Sequence, residues 1–151
     1  MIKIICVGKI KEKYLVDAIN EYVKRIQKYC KLEIIELPDE SQGEINKILK
    51  LEGEKIEKYL NPKDYIISLE IDGKNLTSLE FSKLIEEKQI KYSNITFIIG
   101  GSYGIDDSIK NKANYHLSFS KMTFPHQLFR LLLLEQIYRS FKINNNESYH
   151  K

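Results

Sequence analysis

Residues 95–104 read ITFIIGGSYG, an apolar run that leads directly into a glycine-rich loop. The β-branched and aromatic residues of the run are typical of a strand, and the glycines mark the point where that strand ends. Four further strands are predicted on the same grounds, at Ile2–Val7, Leu32–Leu37, Tyr65–Ile71 and Tyr115–Phe119. The chain therefore contains a set of short strands spread along its whole length.

Helical patterns occupy most of the segments between these strands. Thr77 and Glu80 form the pattern of a capping box, and apolar residues recur at helical spacing in the longer segments. The predicted helices span Lys13–Tyr29, Glu44–Leu60, 77–91, Ile105–Lys112 and 125–141. Strands that alternate with helices indicate an α/β fold with a mainly parallel sheet flanked by helices. The 151 residues contain no linker, so a single domain over residues 1–151 is expected.

Ligands of parallel sheets bind at the carboxyl ends of the strands. This rule directs attention to three loops, at 72–76, 100–104 and 119–126. The glycine loop at 100–104 lacks the spacing of a dinucleotide or nucleoside-triphosphate motif, so a phosphate cradle and a plain tight turn are both open. The 119–126 loop is unusually apolar and is expected to be buried or folded over a ligand, with His126 either catalytic or hydrogen-bonded locally.

The last predicted helix is apolar around its whole circumference. Its sequence from Leu128 to Phe141 is LFRLLLLEQIYRSF, and the apolar side chains fall in every quadrant of a helical wheel. An outer helix of a small α/β domain covers only one face with its own sheet. We therefore expect a second copy of the chain to cover the rest about a two-fold axis, the alternative being a central helix of one chain.

Composition and charge narrow the class of protein. The net charge of +3 and the pI of about 8.7 permit an anionic partner without requiring one. No apolar stretch is long enough for a bilayer or a signal peptide, so no membrane association and a cytoplasmic location are expected. Cys6 and Cys30 are expected to be reduced thiols, and no metal is expected because the histidines and cysteines lack ligand spacing.

Five stretches of the chain together resemble one known family. They are MIKIICVGKIKEKY at 1–14, LEIDGK at 69–74, FIIGGSYG at 97–104, LSFSKMTFPHQLFRLLLLEQIYRSFKI at 117–143 and the terminal YHK at 149–151. On these residues the chain resembles the ribosomal large-subunit pseudouridine N3-methyltransferase family, a member of the SPOUT class of knotted methyltransferases. The likeness runs through essentially the whole chain, and 117–143 is its most specific part.

The resemblance implies an enzyme that uses S-adenosylmethionine to methylate N3 of a pseudouridine in large-subunit (23S) rRNA, on the assembled ribosome. It implies a C-terminal trefoil knot, a rare exception to unknotted chains, and an obligate homodimer. It also implies that the cofactor binds in the knot. The implied cofactor-binding residues are Leu69, Gly100, Phe119, Ser120, Lys121, Met122, Thr123 and Phe124.

The terminal residues are the candidates for catalysis. His150 is the candidate proton acceptor and Tyr149 the residue that packs against or orients the acceptor base, in a tail that reaches the pocket of the partner subunit. Free termini are usually disordered, so the Tyr-His pair could instead be incidental. Many family members end in Tyr-His-Arg, and Lys151 keeps that charge without the bidentate fork.

Four basic residues are candidates for contacts with RNA phosphates: Lys121, Arg130, Arg139 and Lys151. Two functions of other classes also stay open. One is a non-catalytic ribosome-binding factor with a vestigial pocket, which would not bind S-adenosylmethionine in calorimetry. The other is a nucleotide-dependent oxidoreductase, which the missing glycine fingerprint weakens.

Overall fold

A computed structural model describes all of residues 1–151, and it shows one five-stranded parallel sheet. The strands are β1 (Ile2–Val7), β2 (Leu32–Leu37), β3 (Tyr65–Asn75), β4 (Ile95–Ile99) and β5 (Tyr115–Ser118). The helices are α1 (Lys13–Ile26), α2 (Ile45–Glu57), α3 (Ser78–Lys91), α4 (Asp107–Lys110) and α5 (His126–Asn144). The strand order is β2-β1-β4-β3-β5, and every pairing is parallel, so the predicted α/β fold is confirmed.

The two faces of the sheet carry separate apolar cores. Along β1, Ile4 and Cys6 face the larger core, which includes α1, α3 and α5. The intervening Ile5 and Val7 face a smaller core that includes α2 and α4. This alternation places three helices on one face and two on the other, which buries both faces as parallel sheets require.

The position of α5 accounts for much of its unusual composition. It packs against both α1 and α3, so flanking helices of the same chain cover two of its sides. Its central residues Leu133, Leu134 and Ile137 are fully buried. At its beginning, however, Leu128 is 36% exposed and Leu131 and Leu132 are only partly buried. The homodimer therefore stays a prediction. The apolar surface that a second copy could cover lies in the first half of α5.

The predicted end of the third strand at Ile71 is wrong, because β3 continues to Asn75 and includes most of the predicted loop at 72–76. Leu69 and Lys74 both stand opposite Leu117 of β5, so the four residues between them bulge out of the pairing. Gly73 permits this arrangement, since a Cβ at that position would lie 2.7 Å from the backbone carbon of Leu117. The bulge places residues 70–72 at the edge of the sheet.

Several predicted boundaries shift by a few residues. The capping box of Thr77 and Glu80 is confirmed, with both of its reciprocal hydrogen bonds formed. Pro125 stands at the N-cap of α5 instead of in its first turn, and α4 is shorter than predicted. None of the helices is long and apolar enough to cross a membrane.

Candidate active site

Residues from the predicted loops at 100–104 and 119–126 meet around one cleft, whereas the predicted loop at 72–76 contributes only Asp72. The cleft has a volume of about 790 Å³ and lies at the carboxyl ends of β3, β4 and β5. Its lining comes from residues 69–72, 99–105, 119–120 and 122–126, with Lys110 and Phe129 completing the wall. The bulge in β3, the glycine loop and the apolar loop before α5 therefore form a single site, of a size suited to a small organic ligand.

Seven of the eight residues implied as cofactor contacts line this cleft: Leu69, Gly100, Phe119, Ser120, Met122, Thr123 and Phe124. The eighth, Lys121, is exposed and lies outside the lining. The side chain of Met122 is 74% exposed at the cleft. The structure thus brings seven residues of the implied set together and leaves Lys121 outside the lining.

The glycine loop is a tight turn. Gly104 has a φ of +91°, a conformation that favours glycine, and its N–H donates to the carbonyl of Gly101 at 3.1 Å. A Cβ on Gly100 would lie 2.3 Å from the carbonyl oxygen of Gly104. The following helix, α4, is capped by the carboxylate of Asp106, which occupies the place that a phosphate would need. Of the two interpretations, the tight turn is confirmed.

The apolar loop before α5 forms an ordered aromatic wall. The rings of Phe119 and Phe129 have centroids 4.9 Å apart, and Phe124 and Phe129 stack at 6.3 Å. The backbone N–H of Met122 donates to the hydroxyl of Ser120 at 3.0 Å. An apolar slot with fixed backbone groups is what a neutral heterocycle such as adenine requires.

Another part of the cleft wall is charged. The carboxylate of Glu70 contacts both His116 Nδ1 and Ser68 Oγ, and Lys110 Nζ lies 3.7 Å from Glu70 Oε1. Glu70 and Lys110 both line the cleft, and only 14% of the Glu70 side chain is exposed. A carboxylate beside an ammonium group suits a ligand that carries both charges itself.

A buried carboxylate behind the glycine loop escaped the sequence reasoning. Glu52 is 3% exposed, and its burial raises the pKa of its carboxyl group. Its Oε2 accepts the backbone N–H of Glu40 at 3.0 Å, and a Cβ on Gly101 would lie 3.1 Å from its Oε1. Glu52 is four residues from both Ile48 and Ile56, so its place on the buried face of α2 was available as a signal.

His126 lines the cleft, and its ring lies against Gly8. A Cβ on Gly8, whose φ is +101°, would lie 2.7 Å from the His126 ring. Burial and then the charge of Arg130 lower the pKa of His126, which favours the neutral ring. Its Nδ1 is buried and has no hydrogen-bond partner, so the expected local hydrogen bond is not made at that atom.

The C-terminal tail is docked on its own chain, away from the cleft lining. The ring of Tyr149 packs edge-on against Tyr138 at 5.0 Å, and the guanidinium of Arg139 lies 4.7 Å from the centre of the Tyr149 ring. Burial and then the Tyr149 hydroxyl raise the pKa of Tyr22 in α1 to about 12. The tail is therefore an ordered element at this position.

Arg139 also determines the hydrogen bonding of His150. Arg139 donates to His150 Nδ1 at 3.1 Å, and it is itself bound to the Glu135 carboxylate at 2.7 Å. Because arginine has no acceptor, Nδ1 is unprotonated in this contact, and the proton of a neutral ring lies on Nε2. In this state His150 can accept a proton only at Nδ1, so its hydrogen bond with Arg139 has to break before His150 can act as a base.

The prediction that Arg130 binds RNA is wrong, because the side chain is only 2% exposed. One end of its guanidinium contacts the Glu36 carboxylate, and the other donates to the carbonyl of Gly8 at 2.8 Å. Glu36 lies in the carboxyl half of β2 and Gly8 directly follows β1, so Arg130 fastens α5 to the carboxyl ends of two neighbouring strands. The other three basic candidates remain accessible, although Glu135 holds Arg139.

The substitution Arg130→Met is expected to destabilise the protein by roughly 2 kcal/mol. It leaves the buried Gly8 carbonyl without its donor, whereas Glu36, at 37% exposure, can regain water. Urea unfolding measures the difference. The control is Lys13→Met, which removes a pair with Asp17 whose side chains are 89% and 60% exposed and should cost at most about 0.5 kcal/mol. Equal losses in the two variants would contradict the anchoring role of Arg130.

The chain matches the family described as "Predicted SPOUT methyltransferase" over residues 1–150. It belongs to the SPOUT methyltransferase family. It is 53% identical to a Clostridium acetobutylicum protein named "Ribosomal RNA large subunit methyltransferase H", and the alignment covers 99% of each chain. Proteins of the same name from Clostridium botulinum and Enterococcus faecalis are 54% and 50% identical, with the same coverage.

Membership in this family makes the chain a methyltransferase and implies the C-terminal knot of the SPOUT fold. SPOUT methyltransferases generally use S-adenosylmethionine. The cleft fits that molecule, because the aromatic wall suits its adenine and the charged wall suits the ammonium and carboxylate groups of its amino-acid end. The non-catalytic factor and the nicotinamide-dependent oxidoreductase lose their support.

Proposed function

We propose that this SPOUT methyltransferase methylates N3 of a pseudouridine in large-subunit (23S) rRNA, using S-adenosylmethionine and acting on the assembled ribosome in the cytoplasm. The observation that carries the proposal is full-length identity of 50% or more to proteins named for methylation of large-subunit ribosomal RNA. The single cleft lined by the predicted loops at 100–104 and 119–126 supports it independently.

The cleft residues would hold the cofactor as follows. Phe119 and Phe124 would contact the adenine, with Leu69, Gly100, Ser120, Met122 and Thr123 around it. Glu70 and Lys110 would pair with its amino-acid end. When bound, the sulfonium supplies an activated methyl group. Lys121 lies outside the lining, so we assign it to contact with RNA and not to contact with the cofactor.

Two tasks then fall to the residues of the protein. The cleft has to hold the acceptor N3 in line with the methyl carbon, and such alignment accounts for up to about 7–11 kcal/mol of a barrier in favourable cases. A base has to take the N3 proton as the new N–C bond forms. His150 is the proposed acceptor of that proton, at the Nδ1 that Arg139 covers in the docked tail, and Tyr149 orients it.

The proposed enzyme is a homodimer in which each tail serves the cleft of the other subunit. Neither Tyr149 nor His150 lines the cleft of its own chain, yet the tail is ordered. The partly exposed first half of α5, which begins beside the cleft, provides the apolar surface for the second copy. Lys121, Arg139 and Lys151 are the proposed contacts to RNA phosphates.

The experiment that tests the proposal is mass spectrometry of ribosomal RNA. Large-subunit rRNA from cells that lack this protein should lose one methyl group from one pseudouridine, and the gene supplied on a plasmid should restore it. Purified protein with labelled S-adenosylmethionine should add the same methyl to ribosomes from the deletion strain. An unchanged set of modified nucleotides in the deletion strain would overturn the proposal.

A further inference from the structure

The loop between β1 and α1 carries unpaired positive charge at the edge of the cleft. This basic loop, defined as residues Gly8–Glu12, contains Lys9 and Lys11, and both side chains are exposed. We infer that the basic loop is a phosphate-binding surface for the RNA substrate, with Lys9 and Lys11 as its contacts. The inference rests on the proposed rRNA substrate and adds to it a surface that α5 does not contain.

The basic loop lies at the same edge of the sheet as the cleft. It follows the carboxyl end of β1, which pairs directly with β4, and β4 ends in the glycine loop. The ring of His126, which lines the cleft, packs on Gly8. The backbone N–H of Lys11 donates to the side chain of Gln127 at 3.4 Å, one residue further along α5. RNA that enters the cleft therefore passes close to this loop.

The backbone of the basic loop is held at several points. Gly8 donates to the carbonyl of Leu37 at 2.7 Å and accepts from Arg130 at 2.8 Å. The N–H of Ile10 donates to the Glu36 carboxylate at 3.3 Å, and its side chain packs on the larger core. Only the two lysine side chains would lose freedom on binding, so little ordering of the backbone opposes the contact.

The charges of the basic loop are free to act on a ligand. Lys9 and Lys11 form no ion pair, whereas Lys13 next to the loop is paired with Asp17 at 2.8 Å. The acidic neighbour Glu36 is already in contact with Arg130. Glu12 is the one carboxylate within the loop, and it is exposed. For a chain whose net charge is only +3, two unpaired lysines beside the cleft are a substantial local excess.

Arg130 supports the basic loop from below instead of contacting RNA itself. The residue that the sequence assigned to RNA is buried, but it holds the carbonyl of Gly8 at the base of the basic loop. The positive charge that meets RNA beside the cleft is thus assigned to Lys9 and Lys11, and Arg130 positions the loop that carries them.

The test is the salt dependence of methyl transfer to ribosomes purified from cells that lack this protein. The variant K9Q/K11Q is compared with K31Q/K63Q, which removes the same charge from exposed lysines at the amino ends of β2 and β3, on the opposite edge. The variant K9R/K11R keeps the charge. For each protein, kcat/KM for ribosomes is measured between about 50 and 200 mM KCl.

K9Q/K11Q is expected to lower kcat/KM by about tenfold at low salt and to flatten its log–log salt slope by about 1.4 to 1.8. K31Q/K63Q and K9R/K11R are expected to match the wild type, and the calorimetric affinity for S-adenosylmethionine should be the same in all four proteins. Equal behaviour of K9Q/K11Q and K31Q/K63Q overturns the inference, as does a loss with an unchanged slope. A wild-type protein that does not methylate these ribosomes overturns the proposed function instead.

Discussion

A chain that ends at Ser148 is expected to lose methyl transfer by about 10²–10⁴-fold, which is the usual contribution of a general base. The deletion removes His150, the proposed proton acceptor, together with Tyr149 and Lys151. Transfer of labelled methyl groups to ribosomes from the deletion strain measures the loss. The affinity for S-adenosylmethionine, measured by calorimetry, should stay close to that of the full chain.

Methyl transfer is expected to fall while cofactor affinity is retained because the tail lies outside the cofactor cleft of its own chain. Tyr149 contacts Tyr138 and Arg139 of α5, and the tail contributes nothing to the lining of the cleft in its own chain. The deletion exposes part of Tyr138, so circular dichroism should confirm that the shortened chain is folded. Full activity in the shortened chain would exclude any catalytic role for the tail.

Single substitutions show which residue of the tail causes the loss of methyl transfer. His150→Gln removes the proton acceptor and keeps a polar side chain, so it should reproduce most of the loss. Ser148→Ala, at the neighbouring exposed position, is the matched control and should leave the rate unchanged. Equal rates in these two variants would assign the effect of the deletion to Tyr149 or Lys151.

The second large effect is expected from Gly100→Ala. The new Cβ would lie 2.3 Å from the carbonyl oxygen and 2.5 Å from the carbonyl carbon of Gly104, both of which belong to rigid backbone. The glycine loop has to move away from its position in the cleft wall. Overpacking of this kind costs about 1–3 kcal/mol, which corresponds to a loss of about 5- to 150-fold in affinity for S-adenosylmethionine if the bound state requires the original loop.

Calorimetric titration with S-adenosylmethionine tests the glycine substitution. Ser41→Ala in the loop between β2 and α2 is the control, because Ser41 is exposed and lies outside the cleft lining. A normal affinity in Gly100→Ala would show that the loop adapts or that the cofactor does not contact it. Urea unfolding of both variants separates a local displacement of the loop from a general loss of stability.

Most secondary structure could be predicted from local pattern. The strand at Ile95–Ile99 agrees residue for residue with the structure, because an unbroken apolar run followed by glycines has few other solutions. The capping box at Thr77 likewise depends on residues close in sequence. The end of β3 was predicted too early. Pairing with β5 extends that strand beyond a bulge, and the residues around Asp72 do not indicate that β5 pairs there.

The sequence predicted most of the segments that contribute to the candidate site, but it did not predict how their side chains are arranged. The rule that ligands bind at carboxyl ends of parallel strands selected the loops at 100–104 and 119–126 correctly, but it placed the first segment at 72–76, where only Asp72 lines the cleft. It did not identify the charged wall, because Glu70 in β3 and Lys110 in α4 are distant in sequence and meet only in the folded chain. Glu52 was missed for a similar reason, since only packing shows which carboxylate of a charged helix lies behind a loop.

The sequence by itself determined the order of strands and helices, the parallel sheet and the resemblance to a methyltransferase family, because these depend on periodicity and on residues near one another in the chain. Only the tertiary structure decided that Arg130 is buried, that the tail lies on α5 and that Lys9 and Lys11 stand beside the cleft. The surroundings of a side chain depend on segments from anywhere in the chain, and local pattern carries no information about those distant neighbours.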